Sequence, residues 1–158
     1  MSNSKKPKFV AKERISMLPA QSSTGTVSWV QTIQALSWCY IIASDESPDV
    51  GDKRSLERIS RILFQLSTNG LNGLSDAADR VWLIEVLRTF NLELLAASTN
   101  ASQDFLHAVR ELKNATESLK MTLVYYATDT AWDHLKHCFV HAKRYLETVE
   151  QQRAEKAA

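Results

Sequence analysis

From Ile15 to Ser44 the chain carries no charged side chain, although 23% of its 158 residues are Asp, Glu, Lys or Arg. An element without a wet face has to be surrounded, so this stretch dictates that other parts of the fold wrap around it. Its β-branched content makes a strand the rival reading, but strict alternation of apolar and polar residues is absent, and the spacing predicts a helix from Val27 to Ala43. Val30, Ile33, Ser37 and Ile41 fall on one side of that helix, with Trp29, Leu36 and Tyr40 beside them. So wide an apolar surface calls for several neighbours, or for neighbours plus a partner chain. Large aromatics beyond the needs of a small core favour interfaces, where they cover area at low entropic cost. Trp29, Trp38 and Tyr40 are accordingly expected to form a protein interface with a partner or a second copy of the chain.

The charges missing from this stretch are concentrated just before it. Lys5, Lys6, Lys8, Lys12 and Arg14 face only Glu13, which gives the opening residues +4 and, with +1 overall, leaves −3 for the remainder. A basic arm on a slightly acidic body suits phosphate or an acidic partner better than it suits a protein basic throughout. Residues 1–26 read as this arm and an irregular lead-in, in which Ile15, Met17 and Leu18 are candidates to dock on the body or on a neighbouring subunit. Pro19 and the Ser22-Ser-Thr-Gly25 run then break any regular structure.

Beyond Asp45 one pattern repeats: an amphipathic helix closed by a polar turn. Ser47 to Asp52 supplies turn formers. A second helix from Lys53 to Ser67 places Leu56, Ile59, Leu63 and Leu66 on one face and Arg54, Arg58 and Arg61 on the other. Two Asn-Gly steps near residue 70 form an interhelix turn, since no lysine stands where a nucleotide loop needs one. Ser75 is the expected cap of a third helix reaching Ala97, with Asp76 and Asp79 in its first turn. A fourth helix begins near Gln103, and a fifth starts around Thr128 to Asp133 and frays from residue 153. The fold class is therefore all-α: a five-helix antiparallel bundle spanning 27–152, with a flexible basic N-terminal arm and a frayed tail at 153–158.

Three functional readings follow. Arg54, Arg58 and Arg61, flanked by Lys53 and joined by Lys5, Lys6, Lys8, Lys12 and Arg14, can track an RNA or DNA backbone, because guanidinium groups one and two turns apart present planar donor forks to phosphate. The chain is then a non-catalytic subunit or adaptor. A second reading centres on His134, Cys138 and His141 at i, i+4 and i+7, residue types that ligate zinc or serve a hydrolytic bundle enzyme. Side chains seven residues apart start about 10 Å apart along the axis, and no Glu stands between the histidines in the zincin arrangement, so no metal or other cofactor is expected. The third reading is a chaperone or immunity protein whose basic surfaces hold an acidic protein. Neither cysteine has a local elbow or oxyanion loop, so no catalytic residue is expected. Cys39 and Cys138 both lie in helical runs, and no apolar export segment accompanies the N-terminal lysines, which points to a reducing, cytoplasmic setting. The long uncharged stretch contains Gln21, Gln31, Gln34 and Pro19 and would make a poor membrane span.

Overall fold

A computed structural model describes residues 28–47, 49–69, 74–92 and 103–157, which contain five α-helices and no strand. These are α1 (Trp29–Glu46), α2 (Val50–Asn69), α3 (Ala77–Arg88), α4 (Gln103–Val124) and α5 (Asp129–Ala157). The described residues form an all-α bundle. Short turns make antiparallel hairpins of α1 with α2 and of α4 with α5; α1 also packs on α5 and α4, and α3 lies against α4. Lys5, Lys6, Lys8, Lys12 and Arg14, the rest of the lead-in, the Asn-Gly turn and the expected end of the third helix at Ala97 lie outside the described residues.

α1 begins where Ser28 accepts a hydrogen bond from the Gln31 amide at 3.2 Å, and Thr32 returns its hydroxyl to the Ser28 carbonyl at 2.7 Å. Such a cap satisfies an amide that the first turn leaves without an intrahelical acceptor. The helix then runs through Asp45 and Glu46, past the expected end at Ala43, because nothing in that segment breaks it before Ser47. Asp49 starts α2 earlier than expected: its carboxylate accepts from the Asp52 amide at 2.9 Å and its carbonyl from the Lys53 amide at 2.9 Å. At α3 the cap is Asp76, not Ser75, with Oδ1 accepting from the Ala78 amide at 2.9 Å. Between α4 and α5, Ala127 adopts φ 67°, a left-handed conformation that lets the chain reverse. At the other end of the chain α5 is helical to Ala157.

The interface assigned to α1 is corrected by the packing. Trp29, Trp38 and Tyr40 are only 5%, 2% and 1% exposed, covered by the chain itself. Polar bonds on three sides show how one helix can be enclosed without a partner. Towards α2, Ser37 donates to the Ser60 carbonyl at 3.0 Å and Ser60 donates to the Ser37 carbonyl at 2.9 Å, a reciprocal clasp between two small residues. Towards α4, the Tyr40 hydroxyl meets Thr116 Oγ1 at 2.7 Å; Thr116 directs its own proton to the Leu112 carbonyl, so Tyr40 is the donor. Towards α5, Cys39 Sγ donates to the Ala142 carbonyl at 3.4 Å. Leu36, Leu56, Leu63, Leu83, Leu112, Leu119 and Ala142 fill the space between these contacts with no exposed surface. At about 25 cal/mol for each Å² of apolar area buried, enclosure of α1 by its own chain supplies what a partner was expected to supply.

Candidate functional site

Arg54, Arg58 and Arg61 are all exposed on α2, with Lys53 half-buried beside them. Leu56, Ile59 and Leu63 hold the opposite face in the core, and Ser60 is pinned to Ser37, so α2 cannot turn the arginines inward. The row covers about 10 Å of helix axis. None of the three forms an ion pair within the described residues, whereas Arg88 pairs with Glu85 at 3.3 Å and Lys120 with Glu117 at 2.6 Å. At the start of the same helix, partial burial and the neighbouring Asp49 raise the Asp52 carboxyl above its ordinary value.

His134, Cys138 and His141 share one side of α5 but enter three different environments. The His134 ring stacks on Tyr125, with centroids 5.5 Å apart and planes 17° apart. Cys138 is fully buried, and desolvation pushes its thiol up to about 12. His141 Nδ1 lies 2.7 Å from Glu111 Oε1, joining α5 to α4 across a partly buried contact. No group of three His, Cys, Asp or Glu side chains within the described residues is placed to hold a metal ion. Burial likewise raises the Cys39 thiol well above its usual range, and the adjacent Cys138 adds to the effect. A thiol held protonated and away from solvent is a poor nucleophile. Asp76 caps α3 and Asp79 follows in its first turn, so both serve the helix terminus.

Reasoning from sequence did not bring together the end of the bundle at the α4–α5 turn. The first residue of α1, the last turn of α4 and the first turns of α5 meet there around a half-open cavity of about 130 Å³. Trp29, Thr122, Tyr126, Ala131, Trp132 and Leu135 line it. Arg80 secures this corner: Nη1 donates to the Leu74 and Ser75 carbonyls at 2.9 and 2.8 Å, and the guanidinium lies 4.1 Å over the Tyr126 ring. Exposed Val30, Met121, Val124 and Tyr125 are chain neighbours of these lining residues. Only the closeness of Tyr125 and Trp132 across one short turn hinted at this grouping in the sequence.

A second cavity, about 230 Å³, opens between the end of α3 and α4, with Leu87, Phe90 and Leu92 beside Arg88, Lys113 and Lys120. Among the described residues no helix is long and apolar enough to cross a membrane. Comparison with protein-family models, with curated proteins and with solved structures found no match to this chain.

Proposed function

We propose that this chain is a non-catalytic helical binding subunit that contacts a nucleic-acid backbone through Arg54, Arg58 and Arg61, with Lys53 beside them. The observation that supports this reading is a row of three exposed guanidinium groups on a helix face that the core holds outward. Arg is suited to this role because its planar fork meets phosphate oxygens two at a time. Lys5, Lys6, Lys8, Lys12 and Arg14 add a second set of backbone contacts. Contacts of this type position a protein on RNA or DNA without reading bases. Two buried thiols without a disulfide suit a reducing compartment such as the cytoplasm. Aromatic residues on α1 have no part in the proposal, since they are buried within the chain.

Binding of a fluorescently labelled single-stranded oligonucleotide, titrated over a range of salt, tests the reading. Tight binding at low salt should weaken steeply as salt rises. Exchanging all three arginines for Ala should flatten the slope of log K against log salt by about 2, at roughly 0.7 for each single-strand phosphate released from contact. An unchanged slope in the triple variant would remove α2 from the interface. Capture of an acidic polypeptide in preference to the oligonucleotide would favour the chaperone or immunity-protein reading instead.

A further inference from the structure

We propose that the cavity between the end of α3 and α4 binds a small organic anion, a single carboxylate or phosphate group carried on a compact apolar body. Its wall divides into two kinds of surface. Leu87 and Leu92 are 3% and 6% exposed, and half-buried Phe90 packs against the same core, so one side is a fixed hydrocarbon surface. Arg88, Lys113 and Lys120 supply the other side, opposed by the carboxylate of Glu117. Three cations against one anion around a cleft with low-dielectric walls concentrate a positive potential there.

The argument rests on this surplus of charge and not on an idle cation. Lys120 pairs with Glu117 at 2.6 Å, Arg88 pairs with Glu85 at 3.3 Å, and Lys113 has interactions of its own. Both carboxylate partners are more than half exposed, and pairs of that kind are weak, so a bound anion can take their place. Thr116 in the same wall is already committed: its hydroxyl donates to the Leu112 carbonyl at 2.9 Å and accepts from Tyr40 at 2.7 Å. Recognition of a polar group therefore falls to the charged side chains, and the guanidinium fork of Arg88 suits the two oxygens of an acid.

Size sets the rest of the ligand. The cavity holds about 230 Å³. A cavity of about 150 Å³ is enough for benzene, so this one has room for one ring, or a branched chain of similar bulk, together with an acid group. It falls short of the roughly 300–1,000 Å³ that encloses drug-sized ligands. The cavity at the α4–α5 turn is the contrast: its walls are mostly apolar and hold no charged side chain, so it makes no comparable selection for an anion.

The test titrates the ¹⁵N-labelled full chain with phenyl phosphate and with benzoate, followed by NMR. Amide signals of residues 87–92 and 113–120 should move saturably with one-site behaviour for at least one probe, and the tighter of the two identifies the acid group. Lys113→Gln/Lys120→Gln should weaken binding at least tenfold. Glu117→Gln, on an exposed side chain that folding does not depend on, should tighten it severalfold, because it removes the opposing charge and releases Lys120. Replacing Arg54, Arg58 and Arg61 with Ala should leave the affinity unchanged, which separates this site from the α2 face. Benzyl alcohol binding as tightly as the acids would overturn the proposal, since charge would then play no part. So would inorganic phosphate binding as tightly as phenyl phosphate, weaker binding in Glu117→Gln, or no saturable shift with either probe.

Discussion

Trp38 and Trp132 are the same residue type in neighbouring helices, yet one is 2% exposed and the other 39%. The difference belongs to their layers. Around Trp38, α1 is enclosed by α2, α4 and α5, and each contact has its own buried polar bond. Around Trp132 the chain reverses between α4 and α5, only the first residue of α1 reaches that level, and a half-open cavity remains. An apolar residue is covered by the number of elements that can reach it, and at the end of a bundle fewer can.

The largest expected effect tests the enclosed layer. Trp38→Ala should destabilise the protein by about 3–5 kcal/mol in urea unfolding, because surrounding helices cannot collapse into the space left behind. A loss below about 1 kcal/mol would mean that the middle layer is no tighter than the end.

Alkaline pH tests the same layer without mutation. Desolvation raises the pKa of Cys39, Cys138, Tyr40 and Tyr145, with Cys138 reaching about 12 from an ordinary 9.0. A group whose pKa is higher in the folded state than in the unfolded one contributes stability that is complete below the unfolded pKa and lost as pH rises towards the folded value. Stability should therefore hold below about pH 9 and then fall by about 1.4 kcal/mol per pH unit for each such group that ionises on unfolding. Cys138→Ala should make the decline shallower by one proton's worth. A flat profile between pH 9 and 11 would show that water reaches this layer.

How far the fold could be read from sequence follows the same division. The uncharged run predicted a surrounded helix, and Leu56, Ile59 and Leu63 opposite Arg54, Arg58 and Arg61 predicted which side of α2 stays wet; both are local periodicities, and packing left them intact. The partner interface on α1 was misjudged because the decision between self-burial and partner burial depends on how many helices converge there, and Ser60, Thr116 and Ala142 are 23 to 103 residues away from their α1 partners in the chain. Likewise, i, i+4, i+7 spacing grouped His134, Cys138 and His141, but Tyr125, the core and Glu111 divided them. The cavity beside Trp29 and Trp132 was hidden for the same reason, since its walls come from three separate helices.

The smallest effect is expected where coverage is thinnest. Trp132→Ala removes a ring of which more than a third already faces solvent, from a site with open space on one side. Little new cavity forms when a neighbour was never packed there, so the cost should be about 1 kcal/mol, less than a third of that for Trp38→Ala. Both variants should be unfolded in the same buffer, so that the difference between two tryptophans reports on coverage and not on conditions. A Trp132→Ala loss equal to that of Trp38→Ala would mean that the turn end is as tightly enclosed as the middle, and the contrast between the two layers would then have no energetic meaning.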